Sequence, residues 1–303
     1  MSPTDAQADE PRVPPGDTPA TPPTDDERAA LRRTCRELAG HGPRHPADEL
    51  EAVASWLRTA GPHGDPLPPD VYGTGAAIED FERRVAELCG LPAARFMPSG
   101  CMAQPIALRI WSDRADNPHT AFHATSHLEL HEEHGYRELH GLTAYLLGER
   151  HRPTTPGDLV QLLDGEAAST GLASLLVELP ARELGGQLPT WDQAARLSEL
   201  CRDRGVRLHL DGARLWQVPA AWGRSLPEIC ALFDSVYVSF YKDLGALAGA
   251  MLLGPEDFID EAAVWQRRQG GTLYSNLAHV TSARLRLAEK LERMPRYRAR
   301  ALE

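Results

Sequence analysis

From residue 173 to residue 254 the chain repeats one arrangement: a short apolar run, an amphipathic stretch, then another short apolar run. ASLLVEL (173–179) reads as a strand and TWDQAARLSELCRDRG (190–205) as a helix closed by its glycine. VRLHLD (206–211), SVYVSF (235–240) and GAMLLG (249–254) read as further strands, with SLPEICALF (225–233) a short helix among them. Strands that alternate with helices of 9 to 16 residues assemble into a mainly parallel sheet. Strands this apolar need cover on both faces. Upstream, IEDFERRVAELCGL (78–91) carries Phe81, Val85, Leu88 and Leu91 near a 3.6-residue period. ARFMPSG then predicts a strand ending at Ser99-Gly100, and CMAQPIALRIWSD (101–113) a helix.

The N-terminal part is different. Residues 1–25 are rich in Pro, Asp and Thr and poor in large apolar groups, so they are expected to be a disordered tail. Residues 26–70 are expected to form a helical segment, with DERAALRRTCRELAG and ADELEAVASWL separated by the turn GHGPRHP. A large domain is expected over 71–285, with 286–303 opening a further C-terminal segment. No internal repeat is visible.

Charge and cysteine usage narrow the partners. A formal net charge of −11 argues against a nucleic-acid backbone. Five cysteines without CxxC spacing suggest neither a disulfide framework nor a zinc ribbon, and they fit a reducing cytoplasm. No run of 18 apolar residues and no signal-peptide pattern is present, so neither a membrane partner nor export is expected.

The 32 basic residues include only two lysines, Lys242 and Lys290. Lys290 lies in the charged stretch LRLAEKLERM and is expected at the surface, whereas Lys242 follows a strand inside the apolar segment SVYVSFYKDLGALAGAMLLG. A lysine there either snorkels at a strand end or supplies an amine that can lose its proton and attack a carbonyl, which arginine cannot do. Asp211 stands 31 residues earlier, at the carboxyl end of another predicted strand. Ligands of open α/β sheets gather at such ends, although an Asp there is also a plausible helix cap. One strand–helix–strand step separates the two, so both side chains can reach one crevice. An imine-forming lysine and a carboxylate are what pyridoxal 5′-phosphate needs, the acid keeping the pyridine nitrogen protonated. The Ser99-Gly100 turn opens a helix, where backbone N–H groups suit a phosphate. Arg214 offers a planar fork for a substrate carboxylate, or a bond to a surface acid.

Together PSGCMAQ (98–104), TSHLELHEEHG (125–135), HLDGARLWQ (209–217) and SFYKDLGA (239–246) resemble the threonine aldolase and β-eliminating lyase family of fold-type-I pyridoxal-phosphate enzymes. The resemblance spans about residues 70–290, and HLDGAR with its following lysine block is its most specific part. It implies a large domain with a mainly parallel seven-stranded sheet flanked by helices. It also implies that Lys242 holds the cofactor as a Schiff base, Asp211 pairs with the ring nitrogen and His127 stacks on the ring. Ser99, Gly100 and Cys101 would cradle the phosphate, and Arg214 would meet the cofactor or the substrate carboxylate. Tyr72 resembles a position near a subunit interface, and a homodimer or homotetramer is implied.

Several positions depart from the family pattern. Cys101 stands where a threonine is usual, and the Ser-Lys-Gly pattern is replaced by Tyr241-Lys242-Asp243, leaving Tyr241 or Ser239 to supply a hydroxyl. The acid-Asn-Thr-His-Asn segment is replaced by Glu178 to Arg182, which removes polar groups expected to face a substrate hydroxyl. Family members continue into a small domain bearing a carboxylate-binding arginine. Here that domain is expected to be truncated or absent, with Arg267, Arg268 or a partner subunit taking over.

His127, His131 and His134 fall at i, i+4 and i+7, so a continuous helix would put three imidazoles on one face, a possible zinc set. The spacing is not HExxH, and the resemblance implies no metal. The expected function is a pyridoxal-phosphate-dependent lyase acting on an amino acid, cleaving the Cα–Cβ bond of a β-hydroxy-α-amino acid. An α,β-eliminating lyase, a racemase and a degenerate non-catalytic relative are the alternatives.

Overall fold

The computed structural model describes residues 24–34, 45–58 and 70–303. The expected tail and most of the GHGPRHP turn therefore lie outside the described residues. The described residues fall into two units: helix α1 (Asp25–Thr34) belongs to the first, and the described residues from 45 onward belong to the second.

In the second unit, α2 (Pro46–Leu57) and α3 (Ala76–Cys89) precede β1 (Ala93–Met97), α4 (Gly100–Ala115) and β2 (His119–His123). Short helices α5 (His127–Leu130) and α6 (Gly135–Glu138) lead to β3 (Thr143–Leu147), α7 (Pro156–Asp164), β4 (Ser174–Glu178), α8 (Trp191–Asp203) and β5 (Arg207–Gly212). Then come α9 (Val218–Trp222), α10 (Leu226–Cys230), β6 (Ser235–Ser239), β7 (Ala250–Gly254), α11 (Glu256–Arg268), α12 (Leu277–Lys290) and α13 (Met294–Leu302).

The seven strands form one sheet in the order β1-β7-β6-β5-β4-β2-β3, parallel except that β7 runs antiparallel to both neighbours. The expected seven-stranded, mainly parallel sheet is the observed one. Side chains of β6 and β7 are buried at every position, because both sheet faces are covered. On one face α3, α8, α10 and α12 pack Phe81, Val85, Leu197, Ile229 and Leu287 onto the strands. On the other, α4 and α11 pack Ile106, Ile110, Trp111 and Phe258 against Met97, Tyr237 and Leu252.

The helices begin and end where the sequence supplies partners for orphan backbone groups. Thr190 and Gln193 form a capping box at the start of α8. Gly90, in the left-handed region at φ 68°, ends α3, placing Phe81 and Val85 in the core. Strands β2 and β3 were not evident in the sequence. In β2 two histidines and a threonine leave only Ala121 and Phe122 as apolar signal, and β3, at the sheet edge, is exposed or half-buried at four of its five positions. Helix α10 is shorter than its expected 225–233 span.

Lys290 corrects the expectation of a surface residue: it is only 1% exposed, on the face of α12 turned to the protein. Glu292 and Arg293 are exposed and Glu289 is half-buried, while Val280, Ala283, Arg286 and Leu287 share its buried side. Nearby, Arg286 pairs with Glu49 of α2, and Ser282 Oγ donates to Glu49 Oε1 at 2.7 Å, tying α2 to α12. Among the described residues no helix is long and apolar enough to cross a membrane.

Phe81 touches Phe96 and Phe240 with ring centroids 6.5 and 5.1 Å away, linking α3 to β1 and to the end of β6. Phe81→Ala is expected to lower unfolding stability by about 3–5 kcal/mol. Urea denaturation would show this as a lower midpoint at unchanged slope.

Candidate active site

Parallel register places Glu178 of β4 opposite Asp211 of β5, and Asp211 opposite Tyr237 of β6. Paired residues of adjacent strands point to the same sheet face, so these three line up at the carboxyl ends. They line one cleft together with Gly100, Cys101 and Gln104 of α4, His127, Glu132, Arg214, Tyr241 and Lys242.

Asp211 is 1% exposed, and its Oδ1 accepts the Ala213 N–H at 3.0 Å. The cap-like bond and the position in the cleft are thus both true of this residue. Burial pushes its carboxyl above the usual range, against the Ala213 N–H and with the negative Glu132 adding to the rise. Burial raises Glu178 further, reinforced by Asp211 beside it. Two neighbouring buried carboxyls without a full set of counter-charges resist double ionisation.

Lys242 is half-buried in the turn after β6, its backbone N–H donating to Ser239 Oγ at 3.3 Å and its Nζ lying 5.1 Å from the Tyr241 ring centroid. Burial, then the positive Arg214 and Arg182, lowers its proton affinity below that of an ordinary lysine. Arg214 follows β5 and meets Asp243 Oδ1 at 3.7 Å, so its partner is a buried acid from the lysine turn rather than a surface one.

Gly100 must be a glycine: a Cβ there would collide with the Tyr237 hydroxyl and ring. Tyr237 bonds in turn to Tyr241, and the Gly100 N–H donates to Tyr241. Ser99 occupies the N-cap of α4 without a side-chain capping bond, which leaves first-turn N–H groups for an anion. Gln104, buried within this helix, donates to Asp211 while its Oε1 has no partner among the described residues.

His127 opens α5, and its Nδ1 lies 2.8 Å from Oε1 of the buried Glu132. The three-histidine face is not formed. The chain leaves the helix after Leu130, and His134 sits in the left-handed region at φ 55°. His131 turns to Glu183 at 3.0 Å and His134 to Glu129 at 3.5 Å, so the set expected from i, i+4 and i+7 spacing is dispersed.

Of the residues singled out in the sequence, Gly100, Cys101, His127, Asp211, Arg214 and Lys242 share the cleft. Ser99 lies at the helix cap, Ser239 is buried under the lysine turn, and Tyr72 is 51% exposed on a turn against Tyr274. Neither Arg267 nor Arg268, both in the last turn of α11, lines the cleft. Sequence reasoning missed Gln104 and Tyr237, gave Glu132 only as a neighbour of the histidine face, and gave Asp243 only as a departure in the lysine block. Tyr237 was available from strand alternation, being two residues before Ser239.

A profile of the beta-eliminating lyase family matches residues 62–302. The chain is 38% identical to aldolase vrtJ of Penicillium aethiopicum, over 68% of this chain and 52% of that protein. It is 34% identical to a low-specificity L-threonine aldolase of Candida albicans, over 66% of this chain and 54% of that one. The chain thus spans about half the length of these curated relatives. A solved Listeria monocytogenes structure, a proposed L-allo-threonine aldolase, superposes with a TM-score of 0.78 at 45% identity, covering 86% of this chain and 69% of that one.

Because burial raises the Glu178 carboxyl, the folded protein holds that proton to higher pH than the unfolded chain does. Stability is then present at low pH and lost as pH rises past the unfolded carboxyl range. In the cofactor-free protein Glu178→Gln should therefore gain on the order of 1–2 kcal/mol relative to wild type at pH 8, the difference closing toward pH 4. Denaturation midpoints across that pH range check the sign.

Proposed function

This chain belongs to the beta-eliminating lyase family, and we propose that it is a pyridoxal 5′-phosphate-dependent lyase of the threonine-aldolase type. Its substrate is a β-hydroxy-α-amino acid, cleaved between Cα and Cβ to glycine and an aldehyde. The observation that carries this reading is the meeting of Lys242, Asp211 and Arg214 in one cleft at the carboxyl ends of β4 to β6.

The residues present fit the cofactor. Asp211 offers a buried carboxylate at the cleft and α4 an uncapped first turn. Pyridoxal phosphate, when bound, supplies an aldehyde that captures amines and a ring that accepts the electron pair of a breaking bond. Lys242, with its proton affinity depressed, is the amine that would hold the cofactor's aldehyde. Asp211 keeps the ring nitrogen protonated. The first-turn N–H groups of α4 hold the phosphate, beside Cys101.

Arg214, oriented by Asp243, takes the substrate carboxylate, and Arg182 adds positive charge on the same side, as its effect on Lys242 indicates. His127 stacks on the ring; with Nδ1 tied to Glu132, its Nε2 is left to accept the β-hydroxyl proton. A second copy of the chain is proposed to complete a homodimer or homotetramer on the side of Tyr72. The compartment is proposed to be the cytoplasm, in keeping with free thiols at Cys89, Cys101, Cys201 and Cys230.

Incubation with L-threonine and L-allo-threonine is expected to release glycine and acetaldehyde. A cofactor-loaded protein that instead racemises or eliminates would move the reading to the sister chemistries, and one inert to a broad amino-acid panel would mark a degenerate member. Lys242→Ala should abolish the visible absorption band of the bound cofactor; a band that survives unchanged overturns the assignment of Lys242. Arg214→Lys should keep that band while raising KM about tenfold to a hundredfold, since it loses a bidentate charged hold.

A further inference from the structure

We propose that the cofactor-free cleft is also a thiophilic divalent-cation site, in which Cys101, His127 and Glu132 bind Zn²⁺ in competition with pyridoxal phosphate. One ligand atom from each, the thiol sulfur, a ring nitrogen and a carboxylate oxygen, lies within 4.8 Å of the others. The combination of thiolate, imidazole and carboxylate is one that Zn²⁺ accepts, with water in the fourth position. Cys101 is exposed at the start of α4, so its thiol is open to an incoming cation.

A second observation points to a ligand. The Glu132 side chain is only 3% exposed; its Oε1 already faces His127 Nδ1, and its Oε2 meets no nitrogen or oxygen donor, only the Cys101 thiol standing beside the carboxylate. A buried, half-satisfied carboxylate is costly, and a cation bonded to it removes that cost. The lining of the cleft also includes the acids Asp211 and Glu178, together with the cations Lys242 and Arg214. On binding, the thiol proton leaves to solvent and the sulfur coordinates as thiolate.

A threonine at position 101, which the family resemblance leads one to expect there, would offer no sulfur to a cation. The cation would occupy the floor that Cys101 and His127 give to the cofactor, so each ligand excludes the other. Cation binding stands by itself; the competition rests on the proposed cofactor reading.

The test uses the full chain stripped of cofactor, titrated with Co²⁺ and then Zn²⁺ in a buffer free of thiols and chelators. One equivalent of Co²⁺ should give a sulfur-to-cobalt charge-transfer band, which Zn²⁺ then bleaches. Among the described cysteines only Cys101 is exposed, so the band reports on it. Cys101→Thr should lose the band and bind Zn²⁺ at least about 10–100-fold more weakly, and Glu132→Gln should weaken binding in the same range, with folding checked by circular dichroism. Absence of the band in wild type, or equal Zn²⁺ affinity in wild type and Cys101→Thr, overturns the site. Zn²⁺ present in one equivalent should slow or block the cofactor's visible band, restored by chelator. A Co²⁺ band with unimpaired cofactor loading overturns the competition. A Co²⁺ band in a chain that takes up no cofactor at all refutes the proposed function and leaves the cation site standing.

Discussion

In the middle of the sheet, hydrogen bonds between β4, β5 and β6 set Glu178, Asp211 and Tyr237 side by side at one level. A parallel ladder shifted by one residue would send each of these side chains to the opposite face. That slip is excluded because β5 and β6 are buried on both sides, and every alternative register would strand polar groups among Leu and Val. The row also fixes where the chain emerges from each strand. Arg214 comes out beyond β5 and Lys242 beyond β6, both over the cleft. Tyr237 fills the space that a side chain at position 100 would need, bringing the start of α4 against the sheet.

This close packing also sets the electrostatics. Asp211 and Glu178 are raised chiefly by burial and then by negative neighbours, whereas Lys242 is lowered chiefly by burial and then by the positive Arg214 and Arg182. Acid and amine are thus both pushed toward neutrality while standing in one cleft. Such opposed shifts are characteristic of sites built for proton and imine chemistry rather than for stability. A positively charged ring nitrogen entering beside Asp211 would reverse the burden on that carboxyl, so cofactor binding and the ionisation of this wall are coupled.

Much of this could be read in the amino-acid order, and the limits have physical causes. The strands from 173 to 254 were legible because full burial makes them uniformly apolar and their helices carry clear caps. Asp211 and Lys242 were legible because both close such strands. Strands β2 and β3 were not, since HTAFH and TAYLL contain too little contrast for a period to emerge. The histidine triad misled because spacing implies one face only if the helix continues, and here it breaks after Leu130. Lys290 misled for the complementary reason: charged neighbours define an exposed face, but a 3.6-residue turn lets the next position point inward. Glu132 lines the cleft, and Asp243 reaches its Arg214, through tertiary contacts that no local pattern encodes.

The replaced lysine block shows how a departure from a family pattern can be compensated in space. Tyr241 in place of a serine accepts the Gly100 N–H and a bond from Tyr237, so it joins the lysine turn to the start of α4. Asp243 in place of a glycine reaches Arg214 and draws that guanidinium over the turn. Both substitutions add contacts between the element bearing Lys242 and the elements that would hold the phosphate and the carboxylate. A turn with a glycine after the lysine could flex independently of its surroundings, whereas this one is bound on both flanks to the walls of the cleft. The amine is therefore positioned by the same two side chains that make the block look unlike its relatives, and the change in sequence preserves the arrangement on which the chemistry depends.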